Sequence, residues 1–170
     1  MITIRRAEAL DLYKIQNSEL TTEESYLSKF YYYHHLSWPY MMYLAETFDK
    51  RIVGYTIMKL DESSRNTSQV VVQVINMIVS PSYRRLKIGS QLMKQTINSA
   101  IETCGATLIR TKVTDSNSPT SLFLKSIGFR VAQEKEDICV MEKVCKLEDQ
   151  LDREDISPSQ VEWRKKVLKK

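Results

Sequence analysis

Val79-Ser80-Pro81-Ser82-Tyr83-Arg84-Arg85-Leu86-Lys87-Ile88-Gly89-Ser90 is the stretch on which the reading turns. Upstream of it, Val70–Val79 is a nearly unbroken run of β-branched and apolar residues, the pattern of a strand near the centre of a sheet. Downstream, Ile88, Leu92, Met93, Thr96, Ile97, Ala100 and Ile101 recur at helical spacing, which predicts a helix from about Gly89 to Cys104. A helix that starts there leaves its first N–H groups without intrahelical acceptors, at the positive end of its dipole. Such a terminus favours an anion, and the neighbouring guanidinium groups of Arg84 and Arg85 suit phosphate oxygens. Charge alone leaves two readings open, a bound phosphate group or a solvated basic helix start.

Outward from this segment the chain alternates strands and helices. Ile2–Arg5 reads as a strand and Ala9–Leu20 as a helix with a partly apolar stripe of Leu10, Leu12, Tyr13, Ile15 and Gln16. Ser25–Leu36 is rich in aromatic residues, and Ser37-Trp38-Pro39 stops any helix there because proline disfavours helical geometry in its predecessor. Met41–Glu46 and Ile52–Leu60 read as strands joined at Asp49-Lys50-Arg51, followed by a polar loop at Asp61–Ser68. Thr107–Val113 is the next strand. Ser118 then caps a short helix with Pro119 at its first position, and Gly128 ends it. Phe129–Gln133 and Ile138–Val144 are the last strands, with a tight connection at Glu134–Asp137. The expected fold is α/β, a mixed sheet of six to seven strands with helices on both faces.

Composition sets the outer bounds. The 170 residues suit one domain, expected over residues 1–146, with a charged tail over 147–170. With 42% hydrophobic residues the chain can bury a core, and its formal net charge of +4 does not call for nucleic acid. No apolar run has the length of a membrane helix, and Met1-Ile2-Thr3-Ile4-Arg5 lacks the pattern of a signal peptide. Cys104, Cys139 and Cys145 are odd in number, without metal-ligand spacing, so the expectation is reduced thiols, a cytoplasmic location and no metal. In the tail, Ser157-Pro158 could open a helix carrying Val161, Trp163 and Val167, and the basic residues gather after Trp163. A solvated tail and a docking helix both fit that pattern.

Three segments carry a resemblance. Arg84-Arg85-Leu86-Lys87-Ile88-Gly89 resembles the pyrophosphate loop of the GCN5-related N-acetyltransferase (GNAT) family, whose pattern is Arg/Gln-x-x-Gly-x-Gly/Ala. Ser116-Asn117-Ser118-Pro119 through Leu124 to Ile127-Gly128-Phe129 is similar to that fold's later CoA-contacting helix and the strand after it. Lys29-Phe30-Tyr31-Tyr32-Tyr33-His34-His35-Leu36-Ser37-Trp38-Pro39 and Tyr43-Leu44-Ala45-Glu46 look like the catalytic subunit of N-terminal acetyltransferase A. The resemblance covers roughly residues 1–144 and implies a GNAT fold and a peptide α-N-acetyltransferase that uses acetyl-CoA. It implies nascent polypeptide N-termini as substrates, with a large helical auxiliary subunit and the ribosome as partners.

Roles carry over residue by residue as expectations. Met77, Ile78 and Val79 would offer edge groups to the pantetheine arm, and Arg84, Arg85, Leu86, Lys87, Ile88, Gly89 and Ser90 would wrap the pyrophosphate. Asn117, Thr120, Phe123 and Leu124 would line the rest of CoA. Glu24 falls where the subfamily has a glutamate tied to amine recognition and catalysis, with Tyr26 and Tyr31 beside it at the peptide entrance. Gln73 and Lys112 are on the strands that would flank the attacking amine; the first cannot titrate and the second would have to lose its charge.

The chain departs from the family pattern at several points. Lys87 takes a glycine position, Leu124 stands where many members have a tyrosine that protonates the leaving thiolate, and Thr114 and Asp115 replace commonly basic residues. The Glu134–Asp137 connection is shorter than the relatives' hairpin loop, which implies a more open groove. An α-amine, with a pKa of about 7.7–8.0, is partly neutral near pH 7, whereas a lysine at about 10.4 needs a stronger base. Positioning supplies much of the rate, so these losses need not abolish turnover of α-amines. Two other readings use the same residues: a binding or scaffold subunit that kept the fold, and an acetyltransferase for small amines.

Overall fold

A computed structural model describes residues 1–16, 28–66, 68–135 and 138–145. Seven strands form one sheet: β1 (Ile2–Arg6), β2 (Met42–Thr47), β3 (Ile52–Leu60), β4 (Val71–Val79), β5 (Leu108–Val113), β6 (Arg130–Lys135) and β7 (Ile138–Val144). Their order is β1-β2-β3-β4-β5-β7-β6, antiparallel throughout except for the parallel pair β4–β5. That one parallel pair needs a crossover, and the helix α3 (Ile88–Cys104) supplies it. The expected mixed sheet with helices on both faces is what the chain forms.

On one face, α3 and the short helix α4 (Pro119–Ser126) cover the sheet. Met93, Ile97 and Ala100 of α3 and Leu124 of α4 pack with Val72, Ile109, Cys139 and Met141. The other face is covered over β2–β4 by α1 (Ala9–Gln16) and α2 (Ser28–Ser37), where Leu12, Ile15 and Tyr31 meet Leu44, Tyr55 and Ile57. Residue 17 onward to 27 lies outside the described residues, so the expected extension of the first helix to Leu20 does too.

The apolar stripe expected on α1 divides differently from the sequence expectation. Leu12 and Ile15 are buried, but Leu10 and Tyr13 are exposed and Asp11 takes the inward position. The reason is an ion pair. Arg5 of β1 donates both guanidinium nitrogens to Asp11 at 2.7 and 2.9 Å and also reaches Glu46 of β2 at 2.9 Å. Asp11 further accepts from the Glu8 N–H at 2.8 Å. A carboxylate satisfied this completely can occupy the buried side of a helix.

The polar loop expected at Asp61–Ser68 contains a 3-10 segment, Glu62–Asn66, and the Ser118 cap forms as expected, accepting from the Ser121 N–H at 3.2 Å. The tight connection loses its tip to the undescribed residues 136–137, and the 147–170 tail lies wholly outside the described residues.

Candidate active site

The parallel pairing of β4 with β5 runs only from Val71↔Leu108 to Val74↔Thr111. Beyond it β4 continues to Val79 and β5 to Val113, each strand still paired on its far side, with β3 and β7. The β3 register shifts at this point: Ile57 pairs with Asn76 and Met58 with Val74, so Ile75 is an extra residue. A bulge bends its strand and ends local pairing. Here it separates β4 from β5 and leaves one edge of the second half of β4 without a strand partner among the described residues. Side chains confirm the bulge: Val74 and Met77 pack on the α3 side, Ile75 and Ile78 on the α1–α2 side. Met77, Ile78 and Val79, expected to present edge groups, lie on this unpaired half.

The basic turn follows directly. Ser80 N–H bonds the Val53 carbonyl at 2.8 Å, and Pro81–Tyr83 makes one 3-10 turn closed by Tyr83 N–H to Ser80. Arg85 and Lys87 then adopt left-handed backbone, φ +67° and +61°. Lys87 is the N-cap of α3, and its carbonyl accepts the first helical bond, from Gln91 at 3.0 Å. The N–H groups of Ile88, Gly89 and Ser90 therefore point out of the helix start with no helical acceptor. Arg84, Arg85, Leu86 and Lys87 are exposed around them, while Ile88 anchors the turn in the core. Arg84 Nε donates to the Val79 carbonyl at 3.2 Å, which ties the turn to the strand end.

Lys87 thus holds the conformation a glycine adopts freely, at a cost of about 1–2 kcal/mol for a residue with a Cβ. Gly89 is closely packed instead: a Cβ there would meet the Phe123 ring at 3.3 Å, so the ring would have to shift by a few tenths of an ångström, with Val79 also near. Val79, Gly89 and Phe123 therefore join β4, α3 and α4 at one place. This is the structural support for a phosphate-bearing, elongated ligand lying along β4 and ending at the helix start.

Asp115 organises the entry to α4. Its carboxylate accepts from the Asn117 N–H at 2.9 Å and its carbonyl accepts from the hydroxyls of Ser118 and Ser121. Asn117 and Thr120 are exposed beside it. Leu124 does not join them. It is 3% exposed and packs with Phe129 and Met141, because Ser121 and Leu124 form the inward side of α4. The expectation that Leu124 lines the ligand is corrected to a core role.

Tyr31 also departs from its expected place. It is 1% exposed, in the cluster under α1 and α2, with its hydroxyl 3.3 Å from that of Tyr55. Asn76 Nδ2 reaches the same Tyr55 oxygen at 3.3 Å. Burial of the aromatic ring between helix and sheet outweighs any role for Tyr31 as an open-surface ligand. Glu24 and Tyr26 lie outside the described residues.

Gln73 and Lys112 fall on the sheet face that α1 and α2 leave uncovered. Gln73 is opposite Arg110 across the β4–β5 pair, and Lys112 is exposed on β5 just past the last paired residue. A polar group absent from the sequence reading surrounds Gln73. Its Nε2 donates to Asp61 Oδ2 at 2.8 Å, Arg110 comes within 3.9 Å of the same oxygen, and Arg110 Nε donates to Glu142 at 2.7 Å. The Ser63 hydroxyl holds the Asp61 carboxyl below the usual range against its partial burial, with Gln73 and Arg110 adding to the effect. Only the alternation of Gln73, Arg110 and Glu142 against apolar neighbours hinted at a shared face; which strands meet is not written locally. Among the described residues no group of three His, Cys, Asp or Glu is placed to hold a metal ion.

Comparison with known proteins agrees with this geometry. Residues 9–129 match the model of the acetyltransferase (GNAT) family. N-alpha-acetyltransferase daf-31 of Caenorhabditis elegans is 33% identical over 132 residues, 76% of this chain and 71% of the relative. The N-terminal acetyltransferase A complex catalytic subunit NAA10 of Arabidopsis thaliana is 31% identical over 133 residues, 77% of this chain and 68% of that one. Chaetomium thermophilum Naa20, solved in complex with a bisubstrate analogue, superposes with a TM-score of 0.69 at 25% identity and covers 92% of both chains. With the split sheet, the bulge and the basic helix start all in the matched region, the chain belongs to the acetyltransferase (GNAT) family.

Proposed function

We propose that the protein is a peptide α-N-acetyltransferase that moves the acetyl group of acetyl-CoA to protein N-terminal amines by direct attack. The observation that carries this is the split between β4 and β5, which opens at Ile75 and leads straight to the basic start of α3. The residues present fit the ligand: three exposed cationic side chains, Arg84, Arg85 and Lys87, surround unpaired helix N–H groups, and Gly89 against Phe123 keeps the turn close to the strand. When bound, acetyl-CoA supplies the activated acetyl thioester.

The chain's own contribution is positioning. The unpaired edge of β4 offers backbone groups to an extended amide-bearing arm, with Asn117, Thr120 and Phe123 of the α4 region beside it. The amine approaches from the uncovered sheet face, past Gln73 and Lys112. An α-amine is partly neutral near pH 7, so alignment in a split that excludes water supplies much of the rate. Glu24 accepts the amine proton, directly or through water. In Glu24→Gln, turnover falls and the pH dependence shifts; unchanged turnover with an unchanged profile removes Glu24 from the mechanism.

Support for an auxiliary subunit comes from the helices α1 and α2. Leu10 of α1 and Tyr32, Tyr33 and Leu36 of α2 are large apolar or aromatic side chains left exposed on these helices. The Arabidopsis relative is named as the catalytic subunit of a complex. A large helical partner covers these helices in our reading, near the ribosome and in the cytoplasm, with nascent chains as substrates. The deciding experiment measures thiol release from acetyl-CoA with peptides that vary at their first two residues, and with one whose α-amine is blocked and which carries an internal lysine. Turnover confined to free α-amines fits the proposal; turnover of the blocked peptide or of small amines alone contradicts it.

A further inference from the structure

Gln73 ends in a carboxamide, which has one donating and one accepting end, and the two ends would treat an incoming amine in opposite ways. Its Nε2 donates to Asp61 Oδ2 at 2.8 Å. Asp61 is itself fixed: the Ser63 hydroxyl and N–H donate to its other oxygen at 2.7 and 3.2 Å, and Arg110 lies 3.9 Å from the oxygen that Gln73 uses. An ionised carboxylate only accepts, so Gln73 cannot invert its amide without setting carbonyl oxygen against carboxylate oxygen. Asp61 also lies on a definite side. Its N–H bonds the Val71 carbonyl, two residues before Gln73 and away from the point where β4 and β5 part. The donor end of Gln73 is thus drawn back into the paired part of the sheet. Among the described residues nothing donates to its Oε1.

We propose that Asp61 is a positioning residue that acts through Gln73, locking its carboxamide so that Oε1 accepts from the substrate α-amine at the strand split. The inference rests on the α-amine reading of the site and adds the device that orients the amine. A freely rotating glutamine would offer its Nε2 protons to the ammonium group as often as its oxygen. The carboxylate abolishes that wrong orientation without itself meeting the substrate. The Ser63 hydroxyl does most to keep Asp61 charged, and Arg110, held by Glu142 at 2.7 Å, adds to it from 3.9 Å.

The test is a double-mutant cycle on full-length protein with a free-α-amine peptide. Asp61→Asn keeps the shape and the Ser63 contacts but lets either amide invert. With either amide free to invert, about half of the molecules present Oε1 at a time, so the peptide KM rises by roughly twofold. The acetyl-CoA dissociation constant and the Tm stay near wild type. Gln73→Glu presents two accepting oxygens, so it has no orientation to lock; in that background Asp61→Asn costs nothing in KM or improves it. An equal penalty in both backgrounds overturns the proposal, as does a peptide KM for folded Asp61→Asn that is indistinguishable from wild type.

If Asp61→Asn does not fold, the side-chain amide resonances of Gln73 in the wild-type protein answer the same question. The Nε2 proton that Asp61 accepts stays protected when peptide and CoA bind, and a peptide that engages Nε2 in its place shifts that proton and overturns the proposal. A wild-type protein that acetylates no free α-amine peptide refutes the α-amine reading itself, which is a separate result from a wild type that turns over while Asp61→Asn is silent.

Discussion

Lys87→Gly separates backbone strain from charge at the basic turn. Lys87 caps α3 with φ +61°, in the left-handed region where a Cβ costs about 1–2 kcal/mol. Glycine removes that cost but gives the unfolded chain about 0.4–1 kcal/mol more entropy to lose. Taking the middle of both ranges, the net gain is about 0.8 kcal/mol, and a chain of this size responds with a rise in Tm of roughly 2–3 °C. Lys87→Ala keeps the strain and should show no such rise. Both variants lose the same charge. At about 6 Å from a phosphate in a half-solvated turn that charge contributes roughly 1 kcal/mol, or about 3–10-fold in affinity. Calorimetry with acetyl-CoA, and thermal scans of the ligand-free proteins, measure the two effects independently. The affinity loss should shrink as salt rises past about 0.1 M, where the screening length is about 10 Å. A Gly variant no more stable than the Ala variant refutes the strain argument. Tighter acetyl-CoA binding in both variants refutes the charge argument and shows that the lysine crowds the phosphates instead.

Asp11→Asn breaks the bidentate pair with Arg5, and with Asp11 buried and Arg5 partly exposed the loss should be about 2–3 kcal/mol in chemical denaturation. For Asp11, burial raises the pKa but the Arg5 and Glu8 contacts outweigh it; for Glu46, the Arg5 hydrogen bond lowers it against burial. Both carboxyls are held below their ordinary values of 3.8 and 4.5, so their contribution is complete above that range and is lost as pH falls through the lower folded-state values. Acid titration of stability should therefore be steeper below about pH 4 in wild type than in Asp11→Asn; equal slopes would contradict the pairing. Leu124→Tyr should lower stability by about 1–3 kcal/mol through overpacking rather than raise the acetylation rate, because the position is in the core. Leu10→Ser with Leu36→Ser should leave the Tm of the isolated chain within about 2 °C, since both are at least 78% exposed, while abolishing binding to a helical auxiliary subunit in size-exclusion co-elution.

Much of the architecture could be read along the chain because its signals are local. The β-branched run before Ser80, the helical period from Ile88 to Ile101 and the Ser118-Pro119 cap each specify an element from neighbours a few residues away. Those elements stand within a residue or two of their expected ends, and the strands Ile52–Leu60 and Ile138–Val144 match their expected bounds. The basic helix start before Gly89 was equally local, since it needs only a helix N-terminus and adjacent cations.

What the sequence left open depended on partners far away in the chain. Asp11 rather than Leu10 faces inward because Arg5 and Glu46, on two other strands, satisfy its charge. Leu124 enters the core because Phe129 and Met141 meet it there, and Tyr31 is buried because Tyr55 lies across from it. Lys87 is left-handed because the path from β4 to α3 demands it, against the residue's own preference. Composition and period alone determined the sheet, the crossover helix and the basic turn. Tertiary structure decided the bulge that opens β4 from β5, and it gathered Asp61, Gln73, Arg110 and Glu142 onto one uncovered face. The division has a physical cause: propensity and periodicity act over a few residues, whereas burial and charge pairing are settled only when distant segments meet.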